Sequence, residues 1–530
     1  MTLFLIIGVI VAIGGLLTTL FLLKIRRRRR VRVVPWERKE EITERHLRIW
    51  TYIFGIVTIL GIAIALLAWF FPFRAKLEKE TEQRISRIEK EAKEANENIK
   101  AIEKHLGIPI YVDGLPQADP PVFDPFAKGL KLMTEYKWDE AIAEFKKSMK
   151  EAKASQLVAL YNLIGVCYYT PGKLDLTLEN WNKSLSLAKE FNDKKGEAIA
   201  LSNLGNVYKI RGNLDKALKN FEEVLKIERE IGNREDEAKA LNNIGLIYQT
   251  RGDLDKALKY HQDALKIDRE IGNKEGEAQD LGNLGLIYKT RGDLDRALKN
   301  FEEVLKVDRG IGNREDEAKT LNNIGLIYQT RGELDKALKS FEEGLKIDRE
   351  MERKEGIAVK LNNIGLIYQT RGELDKALKY FEEVLRIERE IGNREDEAKI
   401  LGNIGIVYQT RGDLDKALKY HQDALKIDSE IGYKEGEAQD LGNIGLIYRT
   451  KGDLDNALKH LEDALKIQQQ IGDKVGEARQ LGNIGLIYKD KGEKEKALKY
   501  YEDALRLFTE IGAQKEIEIA KGNIKRLKGE

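Results

Sequence analysis

From about residue 126 to the C-terminus, apolar residues recur in two alternating helical stripes. In the stretch that begins at Asn233, one face of a first helix carries Ala238, Leu241, Ile244, Gly245 and Tyr248. One face of a second helix carries Leu254, Ala257, Leu258, His261 and Leu265. Spacings of three and four residues place such positions on one side of an α-helix. Asn233 is placed to cap the first helix, with Glu235 and Asp236 in an acidic first turn. Gly252 ends that helix, Asp253 starts the second and Gly272 stops it, since glycine accepts the positive φ of a helix terminus. The pattern returns every 40 residues, as the aligned Gly165, Gly205, Gly245, Gly285, Gly325, Gly365, Gly405, Gly445 and Gly485 show. The segment LNNIGLIYQTRGELDKALK at 321–339 is repeated letter for letter at 361–379. Two helices cannot bury their own stripes, whereas stacked copies can. The prediction is an all-α helix-turn-helix solenoid of about ten units over 126–517.

The ends of the array depart from the pattern. Over 518–530, Lys521, Lys525 and Lys528 replace the core positions of Leu481, Gly485 and Tyr488, which predicts a capping helix with one face in water. In the first unit Tyr136 stands where the others have glycine, and Ala141 precedes its counterpart Thr177 by 36 residues.

Before the repeats the periodicity changes. Residues 3–23 and 50–73 contain no charge and are each long enough to cross a bilayer as a helix. The loop between them, 24–49, carries eleven Lys or Arg, including the run Arg26 to Arg30. Short basic loops stay on the cytoplasmic side. Residues 1–73 are therefore expected to form a membrane hairpin in a multi-pass cell-membrane protein, with the basic loop cytoplasmic and the repeats extracytoplasmic. The same arginines also suit anionic lipid headgroups. Over 74–106, Ile88, Ala92, Ala95, Ile99, Ile102 and Leu106 follow a 4-3-4-3-4 spacing, a heptad seam that predicts a short coiled-coil-like stalk. Either self-association into a homo-oligomer or a single solvated helix fits that seam. Residues 107–125 hold five of the eight prolines and are expected to be a semi-stiff extended linker.

Composition narrows the function classes. Charged residues are 34% of the chain, but the net charge is only +2, so nothing points to a nucleic-acid partner. The single cysteine, Cys167, excludes an intramolecular disulfide and a cysteine-rich metal site. No phosphate loop, dinucleotide fingerprint or metal-ligand cluster is present, and no cofactor or catalytic residue is expected. His261 and His421 occupy the register of Phe221 and Phe341 and are expected to be packing or solvated side chains.

Leu321, Ile324, Gly325, Tyr328, Ala337 and Phe341 match the tetratricopeptide repeat signature in type and order. The array resembles the long, forty-residue form of that repeat, as in the Leu-Gly-Asn repeat adaptors and kinesin light chains; LGNIGLIY at 441–448 and 481–488 carries the likeness most closely. The resemblance implies a superhelical solenoid whose first helices line a concave groove for an extended peptide. The two-carboxylate clamp of chaperone-binding relatives is not matched, because Asn322 and Leu326 stand where it needs lysine and asparagine.

On a helical wheel, Lys319, Asn322, Asn323, Leu326, Gln329 and Thr330 lie opposite the core stripe. By the resemblance this face holds the peptide, on a ladder of Asn203, Asn243, Asn283, Asn323, Asn363, Asn403, Asn443 and Asn483. An amide offers donors and an acceptor together, which suits backbone of any sequence. Leu246, Leu286, Leu326 and Leu366 add apolar stripes; Lys239, Lys319, Lys399 and Arg479 add positive charge that favours a partner with acidic residues. Two other accounts of the ladder stand beside this one: recent duplication, and hydrogen bonding between repeats. The expected function is a membrane-anchored scaffold that binds peptide segments of partner proteins and supports complex assembly. The alternative is a structural spacer or self-assembly module with no peptide ligand.

Overall fold

The computed structural model describes residues 109–110 and 120–529. Among the described residues the protein is all-helical, with 21 helices running from Pro120–Thr134 to Gln514–Lys528. They form ten helix-turn-helix pairs and one last helix. The expected membrane spans 3–23 and 50–73, the basic loop 24–49 and the stalk 74–106 lie outside the described residues. Among the described residues no helix is long and apolar enough to cross a membrane.

The chain divides into two compact units, one ending at Ile287 and the other beginning at Tyr288. In the first unit the core runs from Phe126 and Met133 through Leu160, Leu163 and Trp181 to Leu204 and Val207, with a second cluster about Phe221, Leu241 and Ile244. In the second unit Phe341, Leu361, Ile364, Phe381, Leu401 and Ile404 form one cluster, and Leu461, Ile484 and Ile487 another. Every cluster draws on neighbouring pairs, the burial that no single pair achieves.

The local chemistry of each turn repeats as the sequence predicts. Gly272 ends its helix in the left-handed region at φ 74°, and the Asn273 amide closes back on the Asp268 carbonyl at 2.9 Å. The Asn273 side chain then accepts from the Gly276 amide at 3.2 Å, capping the next helix. Where glycine is missing the backbone keeps the same conformation: Tyr136, Asn192 and Glu352 take φ of 58°, 52° and 55°. In most pairs a ring from the second helix lies on a glycine of the first, and on Gly445 the side chain is Leu461 instead. A methyl group on Gly325 would stand 2.5 Å from the Phe341 ring, so only glycine admits this approach.

Two boundaries differ from the expected ones. The first helix begins at Pro120, inside the stretch read as linker, and contains Pro125. Proline is tolerated in a first turn because its missing N–H has no intrahelical partner there; Pro125, just past that turn, forfeits one bond. The last helix begins at Gln514 rather than 518, and its Lys521, Lys525 and Lys528 are exposed.

Candidate functional site

The eight ladder asparagines all lie on first helices of the pairs, but they are not equivalent. In the first unit Asn283 Nδ2 donates to Asn242 Oδ1 at 2.8 Å, across one repeat. In the second unit Asn363 donates to Asn322 at 2.8 Å and Asn403 to Asn362 at 3.3 Å. Asn483 turns to Gln480 of its own helix at 3.3 Å. Asn243, Asn323 and Asn443 are half-buried and make no side-chain hydrogen bond among the described residues. In the second unit sequence explains the difference. Asn363 and Asn403 follow repeats that carry an asparagine one position earlier in the register, whereas Asn443 and Asn483 follow Gly402 and Gly442. Asn203 is a third case: fully buried, it donates to the Pro109 carbonyl at 3.2 Å.

The leucines and cations of the same face are also less free than the wheel suggests. Leu246, Leu326 and Leu366 are half-buried, and Leu326 and Leu366 pack against the second unit's core; Leu286 is exposed. Lys239 lies 2.7 Å from Glu235 and 2.8 Å from Asp236. Lys319 pairs with Glu315 and Asp316 at 2.9 and 3.0 Å, and Lys399 with Glu395 and Asp396 at 2.6 and 3.0 Å. Each lysine thus sits between two carboxylates, and at Lys319 one of them, Glu315, also pairs with Arg353 at 3.0 Å. Their desolvation is outweighed by these carboxylates, which hold Lys239, Lys319 and Lys399 above the usual lysine range. Arg479 is exposed and lacks such partners, because Val475 and Gly476 replace the acids.

The structure also places an aspartate beside each of the two histidines singled out from the sequence, a pairing the sequence reading passed over. His261 and His421 are fully buried packing side chains, each lying on a glycine, Gly245 or Gly405. His421 Nδ1 lies 2.8 Å from Asp440 Oδ1, whereas His261 Nδ1 stands 4.0 Å from Asp280. Burial pushes His261 down to about 4, so its ring is neutral. Burial and the neighbouring Asp268 hold Asp280 well above the usual carboxylate range. A signal was present in the letters: histidine at this register is followed 19 residues later by aspartate both times. Phe221, Phe301, Phe341 and Phe381 are followed there by Ala240, Thr320, Lys360 and Ile400. Among the described residues no group of three or more His, Cys, Asp or Glu is arranged to hold a metal ion.

The tetratricopeptide repeat family model matches residues 155–230, 197–270, 236–310, 281–350, 356–430 and 438–510. The chain belongs to the tetratricopeptide repeat family. No curated protein matches it. Among solved structures it is similar to BtubC from P. vanneervenii, with 22% identity, 44% of this chain and 94% of that one covered, and a TM-score of 0.36. A signal transduction ATPase with a tetratricopeptide repeat sensor from Pyrococcus horikoshii shares 17% identity over 82% of this chain and 71% of that one, at a TM-score of 0.49. The apo quorum sensor NprR from B. thuringiensis shares 18% identity over 65% and 94%, at 0.47.

Proposed function

We propose that this protein is a membrane-anchored tetratricopeptide scaffold whose first helices hold extended peptide segments of partner proteins and so support the assembly of a complex. The observation that carries this reading is the set of half-exposed, unbonded amides at Asn243, Asn323 and Asn443. Polar groups with both donor and acceptor capacity, recurring on the first helices of each unit, suit the alternating N–H and C=O groups of an extended backbone. In this proposal Asn283, Asn363, Asn403 and Asn483 contribute the remaining capacity of their amides, and Leu246, Leu286, Leu326 and Leu366 supply the apolar walls. Arg479 is the cation best able to meet an acidic residue. At Lys239, Lys319 and Lys399 an acidic partner exchanges one carboxylate for another and gains little.

A structural spacer is the second reading, favoured by the asparagine bonds between repeats. The two separate by mutation. Asn323→Ala with Asn443→Ala removes unbonded amides, so thermal stability should hold. Binding to immobilised extended peptides should fall roughly tenfold, at about 0.5–1.5 kcal/mol per lost hydrogen bond. Asn363→Ala with Asn403→Ala should lower stability as well, because each change breaks a link between repeats. If the first pair of changes leaves every peptide bound as before, the spacer reading stands.

The membrane part of the proposal rests on the uncharged stretches 3–23 and 50–73 and on the arginines between them. It places residues 24–49 in the cytoplasm, the repeats outside it, and residues 74–106 as the stalk that joins them. Protease added to intact cells should then degrade the repeats. Cleavage only after lysis would reverse the orientation.

A further inference from the structure

Asn203 stands apart from the rest of its register. It is fully buried, and its amide donates to the backbone carbonyl of Pro109, 94 residues earlier in the chain. The next residue, Ile110, is 5% exposed and belongs to the same apolar cluster as Leu204 and Val207, which flank Asn203 on its helix. Proline carries no N–H, so Pro109 offers a carbonyl acceptor with no donor of its own to satisfy. An asparagine amide on a peptide carbonyl with an aliphatic side chain sunk beside it is the contact proposed above for a partner peptide.

From this we infer that the unit ending at Ile287 carries a built-in occupant: the segment at Pro109–Ile110 fills the first rung of the face and must be displaced before a partner can use Asn203. The inference rests on the reading of the asparagine face as a peptide site. Only residues 111–119 separate Ile110 from the first helix. So short a tether gives an effective concentration on the order of millimolar. A partner that touches Asn203 alone therefore loses the competition. One that continues along Asn243 and Asn283 adds contacts beyond those that Pro109 and Ile110 make at this rung, and displaces them. The segment thus selects for long extended partners over short ones.

The test uses the full-length chain in detergent micelles and a fluorescent peptide of this chain's own residues 105–114, followed by anisotropy. The native chain should bind the probe weakly, because its own segment holds the site. Ile110→Asp should empty the site and bind the probe at least tenfold more tightly, and Ile110→Ala should give a smaller gain in the same direction. Adding Asn203→Ala to either variant should remove the gain, and a probe with aspartate in place of its isoleucine at 110 should not bind. Circular dichroism establishes that each variant is folded; if Ile110→Asp is not, Ile110→Ala decides. Equal probe binding by the native and variant chains overturns the inference, as does a gain indifferent to Asn203. Neither result touches the peptide-face reading, which is judged separately on Asn323 and Asn443 in the other unit.

Discussion

Replacing Lys360 with alanine is expected to destabilise the unit that begins at Tyr288 by about 3 kcal/mol or more. Lys360 is a buried lysine on a first helix, and its Nζ lies 2.8 Å from Asp348 Oδ2, whose side chain is fully buried. That oxygen has no aligned hydrogen bond, so the pair is held by charge alone. Arg353, 3.0 Å from the other oxygen, is the remaining cation. Removing Lys360 leaves a half-compensated carboxylate in a desolvated layer, the costly way to break a buried pair. Its stem also lies against Gly344, where a methyl group would stand 3.4 Å from Lys360 Cε, so the alanine leaves a void as well. Lys360→Met together with Asp348→Leu removes both charges and keeps the volume, and should lie close to the native stability. Arrays need not unfold in one step. Hydrogen exchange of the helices Leu334–Glu350 and Lys354–Thr370 is therefore the measurement. Unchanged protection in Lys360→Ala would show that the pair contributes nothing.

Raising the pH from 4 to 8 should weaken the layer around Asp428, and Asp428→Asn should abolish that part of the change. Asp428 is pushed up from 3.8 to about 7, first by burial, then by the neighbouring Asp440 and Glu437, with Lys399 opposing. Burial likewise raises Asp440, against the pull of its His421 contact. A carboxyl whose pKa is raised on folding binds its proton more tightly in the native state. Its stabilising contribution is complete below the unfolded value near 4 and is lost as the pH rises through 7. At about 1.36 kcal/mol per unit, the ceiling for Asp428 is roughly 4 kcal/mol. Asp428→Asn should match the native protein at pH 4 and exceed it at pH 8, read as exchange protection in Leu414–Ile431 and Lys434–Thr450. Greater native protection at pH 8 than at pH 4, unaltered by the substitution, would refute the assignment.

Letters one helical turn apart determined the helices, their caps and the 40-residue period. Asn273 caps and Gly272 terminates by contacts with residues three to five away, and such contacts leave their mark in any linear reading. The family was legible for the same reason, since a repeat compares the chain with itself. The tertiary structure decided which surface groups are free. Asn363 and Asn443 occupy the same register, yet one is tied to Asn322 and the other has no side-chain partner, because the preceding layer supplies an amide or a glycine. Lys319 reads as a cation and is held between two carboxylates of its own helix. The buried pairs of His421 with Asp440 and Lys360 with Asp348 join helices of successive layers. So does the seat of Pro109 on Asn203, across 94 residues. Hydrogen bonds and charges act over a few ångströms, and stacking brings residues within that range whatever their distance along the chain. A helix wheel orders side chains by angle about one axis and carries no information about the next helix.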